Sequence, residues 1–364
     1  MVVVVWLILL GACSPRGELA YGPLPESRTL PIFIGSTRGA SEPGDEGLGS
    51  RRFAGLKLAR YDVAIPPDHR RGTLSVPTPH KAADPQSDFL VAQSQRYSTD
   101  AAFRAALRAQ LAKTSGEAIV FTHGYNTNFA EGLFRFAQLG ADFDLPGTLV
   151  HYSWPSQARV MGYAYDHDSA LYARDGLADL LNEIRRAGAK RIILVGHSMG
   201  GFLTMEAMRQ LATSGDRETL NRIGGVILIS PDIDVDVFRE EARQIGRLPQ
   251  PFFVFASQKD KALRISAQIA GEETRLGNLT DLSRVSDLQV TLVNTAAFDT
   301  QGGHFNVGNS PALIEILRKS QGLARSLERD QSRHRDPFAS AALTVRTATQ
   351  IVLEPIEAIG DAIN

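Results

Sequence analysis

A single cysteine, Cys13, in a chain of 364 residues removes two chemistries at once: no disulfide can close within the chain, and no thiol can act as nucleophile in the folded body. Charge of neither sign is in excess. Lys and Arg number 39 against 40 Asp and Glu, a formal net charge of -1, and no basic stripe interleaved with aromatics runs through the sequence. A polyanion has nothing to grip, so nucleic-acid binding is not expected. No H-E-x-x-H or comparable ligand spacing occurs, and neither a metal nor a cofactor is expected. The apolar run at residues 2–10 is too short to span a bilayer. What is present is a composition ordinary for a globular protein, 43% apolar and 22% charged, in a chain long enough for one large α/β core.

The apolar run has the length of a secretory h-region and is followed by Gly11, Ala12 and Cys13. Leu10-Gly11-Ala12-Cys13 resembles a bacterial lipobox, which implies lipidation of Cys13. A diacylated cysteine supplies the two or more chains that stable anchoring needs. Residues 1–13 are read accordingly as a lipoprotein-type signal segment, and the Pro/Gly/Ser-rich residues 14–29 as a flexible tether. The resemblance implies a protein held at a bacterial cell-envelope membrane, and Ser14, which is not acidic, points to the outer membrane on its periplasmic side. No Lys or Arg precedes the run, so an ordinary buried strand with a coincidental cysteine stays open as the other reading.

From residue 30 the pattern becomes regular. Ile32-Phe33-Ile34 predict a strand, residues 56–65 a second, and short apolar runs at 118–122, 148–152, 191–195, 225–229, 251–256 and 289–293 six more. Helical periodicity lies between them, at 99–111, 130–141, 169–187, 202–213, 235–244, 262–270 and 311–320. Such alternation predicts the α/β class, with a mostly parallel sheet covered by helices on both faces. The active site is then expected at the carboxyl ends of the strands. Residues 30–325 are read as the catalytic domain and 326–364 as a charged connector with an amphipathic tail. That tail is expected to be helical beyond residue 339, packed on the body in preference to a membrane surface.

Directly after Ile192-Ile193-Leu194-Val195 comes Gly196-His197-Ser198-Met199-Gly200, which reads as a nucleophile elbow between strand and helix. A serine needs a base, and the base needs an acid to orient it. His304 lies beyond a late strand and is the candidate base. Asp260, one strand earlier, is the favoured acid, with Asp232 behind Ser230-Pro231 as the alternative. Two oxyanion donors are expected, the N–H groups of Met199 at the elbow and of Tyr125 in His123-Gly124-Tyr125-Asn126. His123 and His197 read as braces for the two turns. Trp154 and Phe129, with Met161, Tyr163 and Tyr165, are candidates for an acyl or aryl pocket.

Four segments together carry a resemblance: Phe121-Thr122-His123-Gly124-Tyr125-Asn126-Thr127, Tyr152-Ser153-Trp154-Pro155-Ser156, Gly196-His197-Ser198-Met199-Gly200 and Pro231-Asp232-Ile233-Asp234. The chain resembles a poorly characterised bacterial serine-hydrolase family of the α/β-hydrolase superfamily, known for its H-G-Y-N and S-W-P-S segments. Ser257-Gln258-Lys259-Asp260 is similar to that family's acid loop. The resemblance implies the α/β-hydrolase fold, esterase- or lipase-like activity on a small-molecule or lipid ester, and Ser198, Asp260 and His304 as the triad. An acyltransferase would use the same residues, and a non-catalytic envelope binding protein could retain the same fold.

Overall fold

The computed structural model describes residues 16–22, 28–41, 46–79, 81–271, 274–298, 303–318, 341–345 and 348–353. Cys13 and the expected signal segment lie outside them, as does the expected charged connector. The chain opens with an antiparallel meander of β1 (Thr29–Gly39), β2 (Arg51–Ala64) and β3 (Leu90–Tyr97). From α1 (Asp100–Leu111) onward, strands and helices alternate: β4 (Glu117–Thr122), α2 (Phe129–Asp142), β5 (Thr148–Ser153), α3 (Tyr163–Arg186), β6 (Arg191–His197), α4 (Met199–Thr213), the single turn α5 (Arg217–Leu220), β7 (Ile223–Ile229), α6 (Val235–Ile245), β8 (Phe252–Ala256), α7 (Lys261–Ala270) and β9 (Thr291–Asn294). A helical stretch at 311–318 and the antiparallel pair of β10 (Ala341–Val345) and β11 (Ala348–Val352) follow.

The eleven strands among the described residues join one sheet in the order β10-β11-β9-β8-β7-β6-β4-β5-β1-β2-β3. Its centre is parallel throughout, from β1 beside β5 to β11 beside β9. Successive side chains of a strand face opposite ways, and here both ways lead into core. Ala118 and Val120 of β4 enter the cluster formed with α1, α3, α4 and α6, while Ile119 and Phe121 enter the one formed with α2 and the 311–318 helix. This two-sided burial is why the central strands read as unbroken apolar runs. The result is the mostly parallel, helix-covered sheet that the alternation predicted, in the α/β-hydrolase fold that the resemblance implied.

Helix starts are set locally. Thr99 caps α1 by accepting the Ala102 N–H, and Phe103, Leu107 and Leu111 form its buried stripe. Asn128 and Glu131 form a reciprocal capping box at the start of α2. Among the described residues no helix is long and apolar enough to cross a membrane.

Two expectations are corrected. Where the tail is described it is strand and not helix: β10 and β11 pair antiparallel, and β11 pairs with β9; β9 would otherwise present an open edge. Residues 16–22, expected within a flexible tether, run docked along the body. Glu18 N–H donates to Pro77 O at 2.8 Å, Val91 N–H to Ala20 O at 2.9 Å and Gly22 N–H to Val91 O at 3.2 Å, so the segment satisfies backbone groups of the edge strand β3.

Candidate active site

The turn from β6 into α4 holds Ser198 at φ 52° and ψ -124°, a conformation costing a non-glycine residue about 1–3 kcal/mol. Surrounding bonds hold it there: Ser198 N–H donates to Ile229 O at 3.0 Å, and Ser198 O accepts from Gly201 and Asp232 N–H at 2.8 and 3.2 Å. A Cβ on Gly200 would collide with the carbonyl oxygens of Thr122 and His123. Only glycine lets the elbow pack this closely on the loop after β4.

His304 stands on the turn beyond β9, its ring 4.9 Å from that of His197. Its Nδ1 lies 2.8 Å from Asp260 Oδ2. Asp260 is fully buried, and its other oxygen accepts the Leu263 N–H at 3.0 Å as the cap of α7. That second bond stops the carboxylate from turning away from the imidazole. With Nδ1 engaged, Nε2 is the nitrogen left for proton transfer. Asp232 is committed elsewhere: it accepts from Ser266 Oγ at 2.6 Å and Tyr163 OH at 3.1 Å, and faces Arg275 Nε at 3.3 Å. The pairing brings Asp260, and not Asp232, to His304.

The loop after β4 lies against the nucleophile. A Cβ on Gly124 would be 3.0 Å from Ser198 Cβ and 2.9 Å from His197 Nδ1. Among the described residues no backbone carbonyl accepts the Tyr125 N–H, and Met199, as the first residue of α4, has no acceptor in a preceding helical turn. Two free N–H groups beside one serine can receive a developing oxyanion.

Two residues that the sequence reading missed hold this loop. Arg38, at the end of β1 and buried, donates to Ser153 Oγ at 2.8 Å, Ser156 O at 3.2 Å and Thr127 O at 2.8 Å, and its Nη2 lies 3.2 Å from His123 Nε2. A guanidinium only donates, so His123 Nε2 accepts and Nδ1–H donates to Gly124 O at 2.9 Å. Burial lowers the Arg38 guanidinium to about 9. Asp166 accepts from Ser156 Oγ at 2.6 Å, Gln157 N–H at 2.6 Å and Asn126 N–H at 3.1 Å, and burial raises its carboxyl above the ordinary value. The signal for both was the pair of hydroxyls in Ser153-Trp154-Pro155-Ser156. Burial also holds the His123 and His197 imidazoles well below their ordinary value, which keeps them neutral braces.

The expected pocket residues sit differently. Trp154 is wholly buried, stacked on His123 at 5.0 Å with Nε1–H donating to His123 O at 2.8 Å. Phe129 is buried edge-on to Tyr61 at 5.2 Å. Neither has surface left for a substrate, since each fills the core that supports the loop. Met161, by contrast, is 94% exposed, on the loop whose Arg159 and Val160 carbonyls accept the Tyr125 hydroxyl. Among the described residues no cluster of three His, Cys, Asp or Glu could hold a metal.

A family model described as an alpha/beta hydrolase of unknown function (DUF900) matches residues 99–312. Among curated relatives, an uncharacterized protein of Nostoc sp. is 27% identical, with 41% of this chain and 53% of the relative covered. "Putative esterase/lipase 3" of Mycoplasma genitalium is 28% identical, with 46% and 52% covered. The chain thus spans about half the length of both relatives. Among solved structures, esterase B from Lactobacillus rhamnosis is 12% identical with a TM-score of 0.40, covering 85% of this chain and 92% of that one. A thermophilic carboxylesterase cloned from a metagenomic library is 15% identical with a TM-score of 0.33, covering 86% and 91%.

Proposed function

This chain belongs to the alpha/beta hydrolases of unknown function whose family model its residues 99–312 match, and from that membership we propose that it cleaves carboxylic esters through an acyl-enzyme intermediate. The observation that carries the reading is the 2.8 Å contact between His304 Nδ1 and Asp260 Oδ2, with the His304 ring 4.9 Å from that of His197, the residue before a serine held at positive φ. His304 Nε2 takes the Ser198 proton as the hydroxyl oxygen attacks the ester carbonyl. The Met199 and Tyr125 N–H groups receive the oxyanion, and Asp260 stabilises the imidazolium. His304 then protonates the leaving alcohol, activates water, and returns the proton to Ser198 as the acyl group departs. The similarity to the esterase/lipase-named Mycoplasma relative supports an ester as substrate. The same reading puts the enzyme at the bacterial outer membrane, on its periplasmic side, anchored by lipid on Cys13, with support from Leu10-Gly11-Ala12-Cys13.

A fluorophosphonate probe tests the nucleophile. It should label the folded protein and not Ser198→Ala, and that variant should lose at least about 10⁴-fold in turnover on a series of p-nitrophenyl esters from acetate to palmitate, with its thermal transition unchanged. Equal labelling of the two proteins would sink the assignment.

A further inference from the structure

The docked strap of residues 16–22 reaches the catalytic loop at its first residue. Arg16 Nη1 donates to Asn126 Oδ1 at 3.1 Å, and Nη2 donates to Asn126 O at 2.9 Å and Glu131 Oε2 at 2.5 Å. Gly17 N–H donates to Glu131 Oε1 at 3.0 Å, and Gly17 O accepts from Asn128 Nδ2 at 2.8 Å. The seat is close-fitting, because a Cβ on Gly17 would stand 2.9 Å from Glu131 Cγ and 3.1 Å from Val76 Cγ2. Asn126 follows Tyr125 and carries a φ of 56°, a left-handed conformation that asparagine adopts more readily than other side chains and that its hydrogen-bond partners fix here. Asp166 holds its N–H at 3.1 Å from one side. Arg16 holds its carbonyl and its side chain from the other.

We propose that Arg16 is a positioning residue for the hydrolysis: the docked strap keeps Asn126 in its left-handed conformation and so aims the adjoining Tyr125 N–H at the oxyanion. The proposal rests on the hydrolase reading above and adds that the N-terminal segment completes the catalytic loop, making activity depend on strap docking. An oxyanion donor displaced by an ångström costs on the order of 10- to 100-fold in rate, and the loss falls on the transition state more than on substrate binding.

The experiment compares the full chain with Arg16→Ala and with Gly17→Leu, which undocks the strap while keeping the arginine. With p-nitrophenyl butyrate as probe, both variants should lose about 10- to 100-fold in kcat with KM and melting temperature near wild type. Glu18→Ala, at an exposed side chain, should keep wild-type kinetics. Wild-type kcat in either strap variant overturns the proposal, as does a loss matched by a large fall in melting temperature. Amide hydrogen exchange at Tyr125 and Asn126 reads the coupling without any substrate. It should quicken in Arg16→Ala, and unchanged exchange overturns the proposal. If the wild type hydrolyses no ester, the hydrolase reading fails while the exchange comparison still decides whether the strap holds the loop.

Discussion

Asp260 and Asp232 end neighbouring strands, and their partners assign them different work. Asn in place of Asp260 remains a good helix cap but no longer stabilises the imidazolium, and can fix the wrong tautomer. Asp260→Asn should therefore lower kcat by about 10⁴-fold and leave the melting temperature near wild type. Asp232→Asn leaves Arg275 facing a neutral amide in a buried site, so it should destabilise by up to about 3 kcal/mol and keep most of the turnover. Steady-state kinetics beside thermal denaturation separate the two, and the reverse ranking would move the acid to Asp232. Chain order after the elbow was enough to nominate Asp260 and His304, because in this fold each strand end delivers its loop to one side of the sheet. Arg38 was not legible in that way. It ends a strand whose buried pattern is set by Ile32, Phe33 and Ile34, and the groups that hold its charge come from residues 49, 123, 127, 153 and 156. The pocket role expected of Trp154 failed for a related reason: an aromatic that faces a ligand and one that stacks on a neighbouring loop have the same sequence pattern.

Packing of α6 on α4 contains a carboxyl pair that makes stability depend on pH. Burial pushes the Glu241 carboxyl well above its ordinary value of 4.5, and the charge of neighbouring Glu206 adds to it. Burial acts on Glu206 in the same direction, but hydrogen bonds and charge from Arg209 overcome it and leave that carboxyl lowered. A raised carboxyl folds best when neutral. Its contribution is fully present below the unfolded value near 4.5 and is lost as pH rises through the folded one. Glu241→Gln is neutral at every pH, so its melting temperature should exceed that of wild type by more at pH 8 than at pH 5. An offset of the same size at both would show that Glu241 ionises normally. The helix itself was readable from Val235, Phe238, Ala242 and Ile245 on one face. Less visible were β3, whose Gln93, Ser94 and Gln95 give an edge strand little apolar alternation, and the pair β10 and β11. Apolar residues in the tail suggested a helix, although β-branched Thr344, Val345, Thr349, Ile351 and Val352 favour strands.

At the scale of the whole molecule, the strap changes what an anchor at Cys13 would do. Residues 14–29 looked like a tether because they are rich in Pro, Gly and Ser, yet composition reports chain stiffness and not whether Arg16 has a carboxylate waiting for it. With Arg16 seated on Asn126 and Glu131, only Ser14 and Pro15 separate it from Cys13. Three Cα steps reach at most about 11 Å, so lipid on Cys13 would hold the catalytic loop against the bilayer. The rim there suits such a surface: Val160 and Met161 are 66% and 94% exposed, and the Tyr125 hydroxyl ties their loop to the site. Wild-type protein should fractionate with membranes and carry acyl mass on Cys13. Cys13→Ser should be released into the soluble fraction with kcat on p-nitrophenyl butyrate unchanged, because Arg16 stays docked. On esters presented in phosphatidylethanolamine vesicles it should be at least about tenfold slower, since two-chain anchoring concentrates the enzyme at its substrate. A wild type that is already soluble and free of acyl groups removes the anchor. Equal vesicle rates from an acylated wild type and Cys13→Ser would mean that the mouth of the site does not face the lipid.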